Sequence, residues 1–222
     1  MLQAYRQRVA DGWKADPAQE TAVRALDSML ASMRSGGTKA SKGVYLYGPV
    51  GRGKSQLMAM FMEHAADVKP RRIHMHAFMP ELHRRLVAVR VGDPVEQLAK
   101  DLAQEFRVLG FDEFFVNNLG DGVMLGRLFE FLFREGVVVV ATSNWPIDDL
   151  FVKGRNRERF IPYIKMLKEH MTAVDLGYGQ DYRQRRDPRW PLYVLAPRGE
   201  PAPVELQELF EQYAGEIGRA HV

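Results

Sequence analysis

Apolar residues at Val23, Leu26, Met29, Leu30 and Met33 recur at helical spacing. Ahead of them Asp16-Pro17-Ala18-Gln19 supplies a capping residue, a proline suited to the first helical position and a glutamine able to reach back to the cap. The pattern predicts a helix from there to Gly36-Gly37. A second capping signature, Asp93-Pro94-Val95-Glu96, opens a helix with Val95, Leu98 and Leu102 inward. A third helix, from about Gly122 to Arg134, carries apolar residues on nearly all sides and is expected to be deeply packed. Short apolar runs at Val44–Tyr47, Ile73–His76, Val108–Phe111, Val137–Thr142 and Met171–Leu176 read as strands. Strands alternating with helices imply an α/β fold with a parallel sheet covered on both faces, and Val137-Val138-Val139-Val140 has the unbroken hydrophobicity of a central strand.

The first strand leads into Gly48-Pro49-Val50-Gly51-Arg52-Gly53-Lys54-Ser55, the pattern G-x-x-x-x-G-K-[ST], which is followed by Gln56 and the helical run Leu57–Met62. Glycines at this spacing let backbone N–H groups close around phosphates. Lys54 is placed to reach the β and γ oxygens, and the Ser55 hydroxyl to join Mg²⁺. The chain therefore reads as a P-loop protein that takes ATP and Mg²⁺, with residues 48–56 as the nucleotide cradle.

Val108-Leu109-Gly110-Phe111-Asp112-Glu113 is an apolar strand ending in two acids. Because the run Ile73–His76 separates it in the chain from the loop strand, the acids fall where additional-strand P-loop hydrolases keep their second nucleotide motif. Asp112 is expected to hold Mg²⁺ through water, and Glu113 to polarise the water that attacks the γ-phosphorus. The next strand ends Ala141-Thr142-Ser143-Asn144, and Asn144 either bonds the γ-phosphate and attacking water or only makes a turn before Trp145-Pro146.

Composition narrows the class. The 222 residues are 46 % hydrophobic, suited to one domain with an appendage. The start, Met1 to Lys14, is charged, and no apolar run is long enough to span a bilayer, so the chain reads as cytoplasmic with peripheral membrane association the most that is open. With no cysteine, disulfides and thiolate chemistry are excluded. A net charge of +3 and arginine clusters at Arg71–Arg72, Arg84–Arg85, Arg155–Arg159 and Arg183–Arg189 favour solvated faces over nucleic-acid contact. His74 and His76, alternating about Met75 on an expected strand with His83 beyond, suggest a metal set or, better, hydrogen-bonded core imidazoles, since no carboxylate or cysteine completes a site.

Taken in order, Tyr45–Ser55, His74-Met75-His76-Ala77-Phe78-Met79, Phe111-Asp112-Glu113-Phe114-Phe115-Val116, Ala141-Thr142-Ser143-Asn144, Arg157-Glu158-Arg159-Phe160 and Asp181-Tyr182-Arg183 resemble the ZapE family of AAA+ ATPases, from about Pro17 to Arg186. The resemblance implies an ATPase linked to bacterial cell division, contact with the division-ring protein FtsZ, and a homo-oligomer. Arginine directly before phenylalanine is the AAA+ box pattern, which favours Arg159 as the finger donated across a subunit interface. Arg157 is the alternative, and a surface cluster a third. Two positions depart from the family: Ala77 stands where arginine is common, and Asn118 where aspartate is.

The resemblance divides the chain into an ATPase core at 1–176 and the beginning of an incomplete C-terminal region at 177–215, whose stretch Val204–Tyr213 is amphipathic. The last residues, 216–222, match one frame of a widely used sequencing-adapter oligonucleotide and read as a non-native tail. Three functions are weighed: ATP hydrolysis that remodels a protein partner, a nucleotide-gated scaffold or loader with incidental hydrolysis, and a small-molecule kinase. The Asp112-Glu113 pair favours water as acceptor and so disfavours the last.

Overall fold

Among the described residues the apolar runs form five strands, all parallel: β1 (Gly43–Tyr47), β2 (Pro70–His74), β3 (Val108–Asp112), β4 (Val138–Ser143) and β5 (Met171–Asp175), ordered β2-β3-β4-β1-β5. A computed structural model describes residues 1–35, 41–90, 92–152 and 154–177, all within the unit Met1–Tyr182. The expectations placed on Gly36-Gly37, on Asp181–Arg183, on the arginines of 183–189, on Val204–Tyr213, on 216–222 and on the rest of 177–215 beyond Gly177 lie outside the described residues.

Alternation along the strands decides what covers each face. Tyr45, Leu109, Phe111, Val139 and Ala141 join one core with α4 (Met75–Ala88), α5 (Pro94–Glu105), α6 (Leu119–Arg134) and α7 (Ile161–His170). Val44, Leu46, Val108, Val138, Val140 and Val174 join the opposite core with α1 (Leu2–Ala10), α2 (Pro17–Arg34) and α3 (Lys54–His64). A single glycine lets α3 come close: a Cβ added at Gly110 would lie 2.0 Å from Met62 Cε. By the same period of two, Asp112 shares the α3 face with Val108 and Gly110, while Glu113 belongs to the other.

The central placement of β4 agrees with its run of three valines, Val138–Val140. It also corrects the route by which the acids were assigned: the strand standing between the loop strand and the acidic strand in space is β4, and β2 is the sheet edge. Proximity in the chain does not set strand order in a crossover sheet.

Further differences are local. The strand expected over Ile73–His76 ends at His74, where pairing with Asp112 stops, and Met75 opens α4 with its side chain buried. His74 and His76 therefore share no strand face. His74 is exposed near Asp112, His76 packs at a tilt against Phe115 with ring centroids 4.8 Å apart, and His83 faces Asp121 at 3.4 Å. Asp16 caps α2 by accepting from the amides of Ala18 and Gln19, as expected, but the Gln19 side chain turns away and donates to Arg52 O at 3.1 Å. Helix α6 begins three residues early because Asn118 caps it, accepting from the Asp121 amide at 2.8 Å. Helix α1 was not foreseen, since its apolar residues are few and Tyr5 is its buried anchor.

Candidate functional site

The loop between β1 and α3 turns through left-handed backbone at Gly51 (φ 82°) and Gly53 (φ 79°), which side chains disfavour. At Gly53 space is short as well, because an added Cβ would lie 2.7 Å from Gln19 Nε2. Gly53 O is the first acceptor of α3, reached by the amides of Gln56 and Leu57. The amides of Lys54 and Ser55 thus precede the helical ladder and point outward from a positive helix end, an arrangement suited to a polyanion. Lys54 Nζ lies 2.6 Å from Gly48 O and 2.8 Å from Pro49 O, held over the loop. Val50, Ser55 and Gln56 are exposed.

Arg52, included in the cradle by sequence, turns its side chain the other way. Its guanidinium is 5 % exposed, pairs with Asp16 at 2.6 Å and donates through Nε to Leu176 O at 3.0 Å. Tyr5 Oη accepts from the Asp16 amide at 3.2 Å. The loop is thereby pinned to the α2 cap and the end of β5. Removing one member of a buried pair strands the other charge, so Arg52→Ala is expected to destabilise the fold by about 3–5 kcal/mol. Denaturant unfolding checks this, and Asp16→Asn combined with Arg52→Met should cost less than the sum of the single changes.

Across the sheet, β3 delivers Asp112 fully buried. Arg72, on edge strand β2, reaches it with Nε at 2.5 Å from Oδ2 and extends Nη2 to within 3.2 Å of Ser55 O. Thr142 Oγ1 lies 3.5 Å from Asp112 Oδ1. Asp112 and Ser55, paired by sequence as metal-side residues, are thus brought together by a third side chain. Arg72 was noted in sequence only as half of a basic pair. Its register opposite Gly110, on the α3 face, was the signal that strand order alone could supply.

Glu113 follows with φ +55°, a left-handed conformation uncommon for any residue with a Cβ. The hydroxyl of Thr142 accepts from the Glu113 amide at 3.0 Å, and Thr142 O accepts from Phe114 N at 2.7 Å, so β4 fixes the turn. The turn lifts Glu113 out of the strand into a cavity of about 620 Å³ that it lines together with Asn144, His76, Phe115, Trp145 and Phe151. Asn144 is exposed at the end of β4 and lines that same cavity. Tyr45, beneath it, donates to Trp145 O at 2.9 Å, and burial pushes its phenol pKa up, keeping it a neutral donor.

The two arginine candidates separate. Arg157 is half-buried and donates to Asp148 O, with its Nε buried and unsatisfied. Arg159 closes the same 3₁₀ turn, Arg157–Arg159, and its side chain is exposed. Phe160, 2 % exposed, plugs the turn into the core against Phe151 and Tyr163. Among the described residues no group of three or more His, Asp or Glu is placed to hold a metal by protein ligands alone, and no helix is long and apolar enough to cross a membrane.

The AFG1-like ATPase family model matches residues 2–220 of the chain. Cell division protein ZapE of Escherichia coli K12 is 38 % identical over 78 % of this chain and 46 % of its own length. An uncharacterised protein of Schizosaccharomyces pombe is 34 % identical over 99 % of the chain and 59 % of its own length, and lactation elevated protein 1 homolog B of Danio rerio is 38 % identical over 78 % and 37 %. The chain thus spans about half the length of these relatives. Among solved structures it is similar to DnaI, with a TM-score of 0.59 at 20 % identity over 78 % of this chain and 89 % of that one. AMPPCP-bound DnaA of Aquifex aeolicus gives 0.57 at 12 % identity over 78 % and 51 %. These likenesses establish a P-loop AAA+ fold.

Proposed function

The chain belongs to the AFG1-like ATPase family, and from that membership and the site geometry we propose that it binds ATP and hydrolyses it at a subunit interface, coupling turnover to remodelling of a protein partner in cell division. The observation that carries this reading is the turn after β3: Asp112 stays buried and tied through Arg72 to the first turn of α3, while Glu113 lines a cavity it shares with Asn144. Asp112, Glu113 and Asn144 stand at the carboxyl ends of β3 and β4, and this supports the reading of phosphoryl transfer to water.

The loop amides and Lys54 bind the phosphate tail. Ser55 directly, and Asp112 through water, would hold Mg²⁺, which when bound neutralises charge building on the phosphate oxygens. Their fit rests on the donor types, a serine hydroxyl in the first turn of α3 and a buried carboxylate that Arg72 ties to that turn through the Ser55 carbonyl. Glu113 orients and polarises the attacking water, Asn144 steadies that water and the γ-phosphate, and Arg159 reaches a neighbouring copy's site.

Calorimetry tests the binding step. The wild-type chain is expected to bind ADP in Mg²⁺, and Lys54→Ala to bind about 10- to 100-fold more weakly, the loss of charge-assisted bonds to phosphate. No affinity in the folded wild type would sink the proposal. Turnover measured alone, with FtsZ-like filaments and with single-stranded DNA then separates a protein remodeller from a scaffold or loader: stimulation by filaments supports the first, and by DNA alone the second.

A further inference from the structure

Arg72 spans the two residues that Mg²⁺ would link. One nitrogen touches Asp112 Oδ2 at 2.5 Å, and another comes within 3.2 Å of Ser55 O in the first turn of α3. The two partners of the pair are unequal. The Asp112 side chain is wholly buried, whereas 34 % of the Arg72 side chain is exposed, on an edge strand. A carboxylate sealed from water needs a positive partner at all times, while a guanidinium at the surface can move into water at small cost. The Asp112 carboxylate is therefore fixed and its partner exchangeable.

We infer that Arg72 is the internal counter-cation of the metal locus, a positioning residue that holds the Asp112 carboxylate aimed while no metal is bound and yields it when Mg²⁺ arrives with nucleotide. The inference rests on the nucleotide reading above and adds a competition to it. Arg72 and the metal would neutralise the same carboxylate, so occupancy by one weakens the other. The second Arg72 contact, to Ser55 O, ties the first turn of α3 to β3.

The experiment is a titration of the whole chain with fluorescent ADP, once in chelator and once in excess Mg²⁺, giving the ratio of the two dissociation constants. Arg72→Ala is expected to raise that ratio about tenfold, through stronger binding with metal and weaker binding without it, and Arg72→Lys to fall between. In an Asp112→Asn background Arg72→Ala should leave the ratio unmoved. Thermal melts of the nucleotide-free protein supply a readout independent of ligand. Arg72→Ala should lower Tm on the order of 5–10 °C with Asp at 112 and far less with Asn there.

If Arg72 instead contacts phosphate directly, its removal changes the ratio equally in both backgrounds, and the inference fails. An unchanged ratio, or equal melting losses in both backgrounds, overturns it too. Wild-type protein that binds no nucleotide defeats the proposed function and the exchange with metal together. Normal wild-type binding with an unmoved Arg72→Ala ratio defeats the counter-cation alone.

Discussion

Glu113→Gln is expected to retain ATP and to lose turnover by about 10²–10⁴-fold, the range for removing a positioned general base. The amide keeps the size and reach of the carboxylate, and the backbone turn is held by Thr142 through the main chain, so the site should remain assembled. What disappears is the negative charge that draws a proton from water. The left-handed backbone adds a second expectation. A glutamate at φ +55° is strained, and Glu113→Gly should relieve about 1 kcal/mol while abolishing hydrolysis. A variant that is more stable and catalytically dead would mark the strain as kept for function. Single-turnover hydrolysis with bound nucleotide measured alongside is the decisive pair, and unchanged hydrolysis in Glu113→Gln would remove Glu113 from the mechanism.

Arg159→Ala is expected to cut turnover of the assembled protein by about 10³-fold or more with little change in stability. Exposure argues for the second half of this: an exposed arginine at the end of a 3₁₀ turn contributes within about 0.5 kcal/mol to folding. Arg157 is the internal control. Its bond to Asp148 O and its half-burial make Arg157→Ala a stability change first. The trans role is read by mixing. Arg159→Ala subunits keep an intact Glu113, and Glu113→Gln subunits keep an intact Arg159, so interfaces between the two should regain activity that neither has alone. If every mixing ratio stays silent, the arginine does not act across an interface.

Much of the site was legible in the chain because its chemistry is local. A loop whose glycines, lysine and serine lie within eight residues is spelled out in sequence, and so is an acidic pair closing an apolar strand. Capping was legible for the same reason at Asp16 and Asp93, where one carboxylate meets an amide two residues on. At Asn118 the signal was present and went unread: its Asn-x-x-Asp spacing marks a helix start as well as any serine would.

The misassigned side chains are those whose partners are remote in sequence. The neighbours of Arg52 in the chain suggest a phosphate ligand, yet Arg52 pairs with Asp16, and Gln19 leaves its own cap for Arg52 O. The histidines were read as one strand face, but the ladder to β3 ends at His74 and Met75 is drawn into the core, which starts a helix and scatters the three rings.

Short-range rules therefore set the α/β alternation, the phosphate loop and the acidic strand end, since turns, caps and periodicity act over a few residues. Strand order, the pairing of Arg72 with Asp112, the inversion of Arg52 and the cavity joining Glu113 to Asn144 were decided by packing. Parallel strands must cross over to pair, and a buried charge takes whatever counter-charge the assembled sheet brings within reach, information that no local stretch of the chain contains.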